Sequence, residues 1–375
     1  MRVLIAFDKF KDALTAEQAC AAAAGALRAK HPDWPLDLCP LTDGGEGFTE
    51  TLARGQGERI EHIEVPGPRG GSVKAPVGFV SARSLTTAAR QRISVTGTVA
   101  IIGLASASGL ELLAPAERNP WHTTTAGTGE LLRYAIHERA DAILLGIGSS
   151  ATNDLGLGAL AALGLRFVDA FGQTVEPPVP ARWHQIVRIE GRVRLPPLFI
   201  ACDVTNPLLG QKGATVTFGP QKGLPPTDVL ELETRAGRLA ALLCDHCERP
   251  HTLTAVPGTG AAGGIAFGLM VAAGAQLVPG FDLVSEWFDL PARIRSADLV
   301  ITGEGRFDVT SLGGKGPGAL AALARRTGKP VQVFAGSLGV EADRAHHAIT
   351  PPDLPLAEAL PRTAELLAAA VARVL

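Results

Sequence analysis

Residues 1–47 read MRVLIAFDKFKDALTAEQACAAAAGALRAKHPDWPLDLCPLTDGGEG, and this stretch decides the fold class. Val3–Phe7 is an uninterrupted apolar run, which predicts a buried strand. Thr15 and Gln18 form a capping-box pattern at the start of an alanine-rich helix, and Leu36–Leu41 predicts the next strand. Because strand and helix alternate, and such crossovers are right-handed, the stretch predicts the parallel sheet of an α/β protein.

The rest of the chain changes character in the middle and then returns to this alternation. Antiparallel hairpins are expected from the β-like runs at Ile60–Val65, Val73–Val80 and Gln91–Ile102. Further strands are predicted at Ala142–Ile147, Leu198–Cys202, Asp298–Thr302, Val331–Ala335 and His347–Thr350. Further helices are predicted at Glu46–Arg54, Gly129–Arg139, Asp154–Leu163, Thr227–Cys247, Gly316–Thr327 and Pro361–Leu375.

The similar style of the two ends predicts a discontinuous domain. We expect residues 1–65 and 290–375 to form one Rossmann-like domain with a parallel sheet. Residues 66–289 would then be an inserted, mixed α/β domain, so that the chain holds two α/β domains.

Composition indicates a cytoplasmic enzyme. The chain has 375 residues and a formal net charge of −2, so no basic field would attract nucleic acid. Its five cysteines are an odd number without a disulfide framework, which favours reduced thiols. Residues 252–281 lack Asp, Glu, Lys and Arg, but Pro257, Pro279 and several glycines interrupt them. We therefore expect a buried strand–loop–helix there and no membrane span.

Three predicted strand ends carry glycines interleaved with small polar and acidic residues: 41–47, 146–154 and 301–308. Glycine lets backbone N–H groups approach a phosphate, and a neighbouring carboxylate can hold Mg²⁺. Ligands of open α/β sheets bind at the carboxyl ends of strands. The candidate site residues that these loops and similar strand ends supply are Asp8, Lys11, Asp43, Gly44, Gly45, Glu46, Ser149, Ser150, Thr152, Asn153, Asp154, Asp203, Asn206, Lys222, Glu304, Arg306, Asp308 and Lys315.

Simpler roles compete with these assignments. Asp43 and Glu46 could serve only to complement a helix N-terminus, Asp203 could form an Asx-turn, and Lys222 could lie on an exposed turn. No Walker-type phosphate loop, protein-kinase motif set or nucleophile elbow is found in the sequence. The dinucleotide pattern at 258–263 is a lone match and carries little weight.

Taken together, the motifs resemble the bacterial glycerate kinase family of the glycerate 2-kinase type, over essentially the whole chain. Asp43-Gly-Gly-Glu-Gly47 matches that family fully, and Gly146–Asp154 is similar to its Gly-Ile-Gly-Gly-Ser-Ala-Thr-Asn-Asp run. Asp8-Lys-Phe-Lys-Asp12 resembles its Asp-Ser-Phe-Lys-Gly start. The departures are Lys9 for Ser, Asp12, Ser149 and Leu155 for Gly, Gly103 for Glu, and Thr310-Ser311 for Gln-Thr.

The resemblance implies ATP-dependent phosphorylation of D-glycerate, more often at the 2-hydroxyl than at the 3-hydroxyl. It also implies an active site in the cleft between two α/β domains. Phosphoryl transfer depends on positioning and on charge neutralisation. We expect the loop 149–153 and Lys222 to contact the ATP phosphates, and Arg306 to bind the glycerate carboxylate.

The remaining roles concern the proton and the transferred group. Asp203 is the expected base for the substrate hydroxyl, with Asp154 as its rival. Mg²⁺ would be held with help from Asp43 or Asp203, while Lys11 and Lys315 would stabilise charge. A nicotinamide-dependent oxidoreductase and a non-catalytic sugar-acid sensor are the alternatives from other classes, and a homodimer is left open.

Overall fold

The computed structural model describes residues 1–54, 59–312, 314, 316–341 and 344–375. Within these residues the strands are β1 (Val3–Phe7), β2 (Leu36–Leu38), β3 (Arg59–Pro66), β4 (Ser72–Ser81), β5 (Thr98–Gly103), β6 (Ala142–Gly146), β7 (Arg166–Val168), β8 (Arg188–Glu190), β9 (Leu198–Ala201), β10 (Gln276–Val278), β11 (Leu299–Phe307), β12 (Val331–Leu338) and β13 (His346–Ala348). The α-helices are α1 (Ala16–Lys30), α2 (Phe48–Ala53), α3 (Thr87–Ile93), α4 (Ala105–Ser108), α5 (Ala126–His137), α6 (Leu157–Ala162), α7 (Ala214–Phe218), α8 (Val229–His246), α9 (Ala261–Ala273), α10 (Gly280–Trp287), α11 (Leu290–Ser296), α12 (Val309–Leu312), α13 (Gly316–Arg326), α14 (Leu356–Ala359) and α15 (Thr363–Val374).

The chain divides into two compact units. The first unit comprises Met1–Asp43, Thr86–Ala89 and Gly280–Leu375, and the second comprises Gly44–Leu85 and Arg90–Pro279. Each unit contains its own sheet and its own hydrophobic core. The domain boundaries expected from sequence, near residues 65 and 290, stay a prediction.

The sheet of the first unit has five parallel strands in the order β13-β12-β11-β1-β2. Every side chain of β1 is buried, as expected for a continuous apolar run in a parallel sheet. Helix α1 begins with the predicted capping box of Thr15 and Gln18, and it packs against α15 and the sheet. Because all five strands are parallel, their carboxyl ends meet at one edge.

The sheet of the second unit has six strands in the order β10-β9-β6-β5-β4-β3. The pairs β3–β4 and β4–β5 are antiparallel, and β5, β6, β9 and β10 are parallel. Gly103 of β5, Gly146 of β6 and Ala201 of β9 are in register across the sheet. The loops that follow these three strands therefore leave the same edge.

The structure corrects the expected strand over Gln91–Ile102. Its first residues belong to α3, and the strand begins only at Thr98. Ala89 and Ile93 are buried and lie four residues apart, with polar residues between them. That spacing is the helical period, and it outweighs the β-propensity of the following residues.

The apolar stretch 252–281 is also arranged differently from the expected strand–loop–helix. Helix α9 is buried as predicted, but a 3₁₀ helix (His251–Ala255) precedes it, and the strand β10 follows it. Ala262, Gly263 and Gly264 are left-handed, so the pattern at 258–263 lacks the strand-to-helix turn of a dinucleotide site. No helix in the described part of the chain is long and apolar enough to cross a membrane.

All five cysteines are free. Cys20 and Cys39 are buried in the first unit, and burial raises the pKa of each thiol to about 12. In the second unit Cys244 is buried, while Cys202 and Cys247 are half-buried. Burial also raises the pKa of Cys244, to about 11. The thiolate is the reactive form, so the thiols with the raised pKa values are chemically quiet in the folded chain.

Candidate active site

A cavity of about 520 Å³ opens at the carboxyl edge of the first sheet. Its lining includes residues 8–13 after β1, residues 304–306 of β11, and Gly336 and Ser337 of β12. From β1 the chain continues to β2 on one side, whereas β11 lies on the other side. The cavity therefore lies at the point where the strand order reverses, which is where open α/β sheets bind ligands.

Carboxylates lie on one part of the cavity wall. Asp8, Asp43 and Glu304 all line it. Burial, together with the nearby negative charges of Asp8, Asp43 and Asp308, raises the pKa of Glu304 to about 7, although a hydrogen bond with Ser311 opposes the shift. Glu304 Oε1 is buried and has no hydrogen-bond partner. This oxygen is therefore available to a ligand group, since buried polar atoms are normally paired.

Cations line the same cavity. Lys9 Nζ lies 3.3 Å from Asp43 Oδ1, and Lys11 and Arg306 are also part of the lining. The Arg306 side chain is 72% exposed, and its Nε lies 3.2 Å from Asp308 Oδ2. The guanidinium is thus oriented by a carboxylate and still accessible to an anion.

Asp308 also fixes the start of α12. Thr310 donates to Asp308 Oδ1 through its backbone nitrogen at 2.9 Å and through its hydroxyl at 2.6 Å. These hydrogen bonds hold the pKa of Asp308 below its usual value. Asp308 therefore stays charged, and its role is to orient the guanidinium of Arg306.

In the second unit, two glycine loops pack backbone against backbone. The Gly148 nitrogen donates to the Gly44 carbonyl at 2.9 Å. A Cβ on Gly146 would lie 2.7 Å from the Gly44 oxygen, and a Cβ on Gly148 would lie 2.7 Å from the Gly45 nitrogen. Side chains cannot be accommodated at that separation, so these glycines are needed for the close approach of the loops.

Three of the departures from the family pattern replace glycine at left-handed positions. Asp12 in the first unit has φ of 60°, and Ser149 and Leu155 in the second have 54° and 56°. A left-handed residue other than glycine carries steric strain. At Ser149 the hydroxyl donates to Glu46 Oε2 at 2.8 Å, which links the two glycine loops.

The end of the loop 146–154 is fixed by a buried carboxylate. Asp154 Oδ2 accepts from the Thr125 nitrogen and hydroxyl, both at 2.8 Å, and from the Gly158 nitrogen at 3.2 Å. Its Oδ1 accepts from the Gly156 nitrogen at 3.1 Å. Burial raises the pKa of Asp154 although these bonds oppose the shift. Asp154 thus holds the loop to the N-terminus of α5.

The middle of the loop is held by a buried lysine. Lys222 Nζ donates to the Thr152 carbonyl at 2.5 Å and lies 3.4 Å from Ser150 Oγ. Burial lowers the pKa of Lys222 to about 7, against the attraction of Asp154. Asn153 Nδ2 donates to Thr215 Oγ1 at 3.1 Å, while Asn153 Oδ1 is buried without a partner. Lys222 is therefore not on an exposed turn.

Asp203 and Asn206 follow β9 at the same edge of the second sheet, and both are half-buried. Asn206 Nδ2 donates to the Lys212 carbonyl at 2.8 Å, which closes this loop on itself. Gly103, where the family has Glu, donates its backbone N–H to Thr49 Oγ1 at 2.9 Å. This edge of the second sheet therefore carries Gly103, the hydroxyl-rich loop 146–154, and the loop with Asp203 and Asn206.

The structure groups the candidates by unit. In the first unit the cavity collects Asp8, Lys11, Asp43, Glu304 and Arg306, with Asp308 beside them. In the second unit the packed loops carry Gly44, Gly45, Glu46, Ser149, Ser150, Thr152, Asn153 and Asp154, with Lys222 bonded to them and Asp203 and Asn206 on a separate loop of the same edge. Lys315 lies outside the described residues.

Sequence reasoning did not select three contributors. Lys9 lines the cavity, and the sequence indicated this only through its place directly after Asp8. Thr125 was visible in the Thr-Thr run before α5, but only the fold brings it to Asp154. The cavity residues between 350 and 363 carry no motif, so nothing in the sequence pointed to them.

Comparisons with known proteins agree with this geometry. The model of the Glycerate kinase family matches residues 3–375. The chain is 38% identical to a glycerate kinase of Halalkalibacterium halodurans, covering 90% of this chain and 86% of that protein. It is 37% identical to the glycerate 2-kinase of Escherichia coli, covering 90% and 86%.

A relative of known structure extends the agreement to the fold. A crystal structure assigned to glycerate kinase 2 of Salmonella typhimurium is 37% identical, has a TM-score of 0.78, and covers 100% of this chain and 97% of that one. Family match, sequence identity and fold coincide over nearly the full length. The chain therefore belongs to the glycerate kinase family.

Proposed function

We propose that this protein transfers the γ-phosphoryl group of ATP to the 2-hydroxyl of D-glycerate. The observation that carries the proposal is the cavity at the reversal point of the first sheet, where cations and carboxylates meet. The 2-hydroxyl is chosen because the relative in Escherichia coli is a glycerate 2-kinase. A cytoplasmic location forms part of the proposal, supported by the five free cysteines.

Cations of the first unit bind and neutralise the substrates. Arg306 is exposed and oriented by Asp308, so it can bind the glycerate carboxylate with two parallel hydrogen bonds. Lys11 lines the same cavity and stabilises charge on the transferred group. Lys315 is proposed for the same task on the basis of its sequence motif alone.

The loop 149–153 of the second unit supplies the phosphate contacts. Its side chains at 150, 152 and 153 are buried, and the backbone nitrogens of Ala151 and Thr152 donate within the protein. The remaining backbone N–H groups of the loop, at 149, 150 and 153, are the donors proposed to face the ATP phosphates. The Lys222 ammonium donates hydrogen bonds to the Thr152 carbonyl and to the Ser150 hydroxyl. It is therefore proposed to act from behind the loop by fixing the shape that the phosphates meet.

Asp203 is the proposed base that accepts the proton of the substrate hydroxyl. It is half-buried at the strand edge, whereas its rival Asp154 is wholly buried and accepts four hydrogen bonds from the protein. A carboxylate so fully engaged orients a loop and does not meet a substrate. Asp203 is therefore preferred.

Mg²⁺ completes the proposal as the partner of ATP. Among the described residues no cluster of three or more metal-ligating side chains is present. Mg²⁺ commonly binds through one or two carboxylates together with substrate phosphates, so a complete protein cage is not required. Asp8, Asp43 and Glu304 line the same cavity, so carboxylates that could contribute to such a site are present there. Asp43 or Asp203 would hold Mg²⁺, which neutralises phosphate charge when bound.

The test is a coupled assay with ATP, Mg²⁺ and D-glycerate, in which enolase detects 2-phosphoglycerate directly. We expect an enolase-dependent signal. Release of ADP without that signal would point to the 3-hydroxyl or to another acceptor, and no release of ADP would refute the kinase.

Two substitutions assign the roles. Asp203→Asn should lower kcat by on the order of 10²–10⁴-fold, as loss of a general base does. The matched control is Asp245→Asn, which changes an exposed aspartate of the same unit. Arg306→Ala should chiefly raise KM for glycerate, and a change confined to KM for ATP would reassign it.

A further inference from the structure

One wall of the cavity in the first unit is uncharged. The segment after β13 contributes Thr350, Leu354, Leu356, Ala359, Leu360 and Thr363. By contrast, the loop after β1, Asp43 after β2 and the end of β11 contribute the charged groups. The Leu356 residue is 69% exposed, so an apolar side chain faces solvent beside an ionic cluster. Apolar side chains that line a cavity beside a few polar groups are typical of ligand sites.

Glycerate cannot use this wall. Each of its three carbon atoms carries oxygen, so the acceptor needs charged and hydrogen-bonding partners. The cavity volume of about 520 Å³ falls in the roughly 300–1,000 Å³ range of sites for whole cofactors or drug-sized ligands. The second substrate, ATP, has a flat aromatic base whose faces can pack against such a wall.

The charges indicate which part of ATP lies here. Asp8, Asp43 and Glu304 would repel a phosphate placed directly against them, so the phosphate chain is expected on the side of Lys11 and Arg306, away from these acids. Ribose hydroxyls, however, donate hydrogen bonds to carboxylates. The Glu304 Oε1 atom is buried and lacks a hydrogen-bond partner. An adenosine group therefore matches both walls, with its base on the leucines and its hydroxyls toward the acids.

We propose that the wall formed by residues 350–363 binds the adenosine moiety of the nucleotide. The identity of the nucleotide rests on the proposed kinase function. Leu354, Leu356 and Leu360 contact the base, and they select for a nucleoside over a bare phosphate donor.

The experiment measures ADP binding by isothermal titration calorimetry, without glycerate, for the wild type and Leu356→Ser. Burying the exposed leucine side chain against the base stabilises the complex, so its replacement by serine should weaken ADP binding roughly tenfold. Leu230→Ser is the matched control, because Leu230 is an exposed leucine (77%) on α8 of the second unit. Leu354→Ser is a second variant on the same wall and should act in the same direction.

The expected result is a raised Kd for ADP in both wall variants, an unchanged Kd in Leu230→Ser, and unchanged KM for D-glycerate. Unchanged ADP binding in the wall variants would overturn the inference, as would a rise confined to KM for glycerate. ADP binding is measured without turnover. If the wild type binds ADP but gives no enolase signal, the proposed function alone is refuted. If the wild type does not bind ADP, the assignment of residues 350–363 to the adenosine moiety is refuted.

Discussion

Glu304→Gln should make the protein more stable at alkaline pH while changing little at acid pH. Burial beside Asp8 and Asp43 raises the pKa of Glu304 from 4.5 to about 7. Between these values the folded state holds the proton that the unfolded state has lost, so this contribution to stability falls as pH rises. It is fully present below about pH 4.5 and lost as pH rises through about 7. One pKa unit corresponds to about 1.4 kcal/mol, so the loss is roughly 3 kcal/mol.

Glutamine keeps the size of the side chain and carries no charge at any pH. The difference in free energy of unfolding between the variant and the wild type should therefore grow by roughly 3 kcal/mol between about pH 4.5 and about pH 8. Equilibrium urea unfolding at several pH values measures it. Glu358→Gln, at an exposed glutamate of α14 in the same unit, is the control. A difference that does not vary with pH would refute the reasoning.

Three further predictions concern the second unit. Gly148→Ala should cost about 1–3 kcal/mol in urea unfolding, because its Cβ would lie 2.7 Å from the Gly45 nitrogen, whereas Gly103→Ala should be tolerated because its nearest neighbours lie at 3.5 Å. In the wild type, the free energy of unfolding should rise with pH between about 7 and 10.5, because the folded lysine loses its proton at a lower pH than the unfolded one. Lys222→Met should remove this rise. An equal rise in the variant would contradict the lowered pKa. Asp154→Asn should destabilise by about 1–3 kcal/mol through mismatched N–H donors, and calorimetry showing an unchanged midpoint would argue against its anchoring role.

Much of the fold was predictable because local signals and tertiary structure agree. The apolar run of β1, the capping box of α1 and the glycine loops each have a short-range physical cause. The strand expected over Gln91–Ile102 was partly wrong, because two buried positions four residues apart placed α3 there.

The site was predictable as a set of loops but not as a set of roles. The motifs selected Lys222 and Asp154 as site residues, but they did not predict that both side chains are buried. The hydrogen bond from Thr125 to Asp154, for example, joins two separate segments of the chain. The raised pKa of Glu304 arises first from burial and then from Asp8 and Asp43, which are more than 250 residues away along the chain. No local pattern records such proximity, so these properties required the fold.

The distribution of the cysteines gives the protein an internal reporter of partial opening. Cys20 and Cys39 belong only to the first unit, and Cys202, Cys244 and Cys247 belong only to the second. The buried thiols, Cys20 and Cys39 in the first unit and Cys244 in the second, react with an alkylating reagent only when their surroundings open. Pulsed alkylation read by peptide mass spectrometry would therefore time the opening of each unit separately in a single unlabelled sample. Added ADP or glycerate would then slow the labelling of whichever unit it binds.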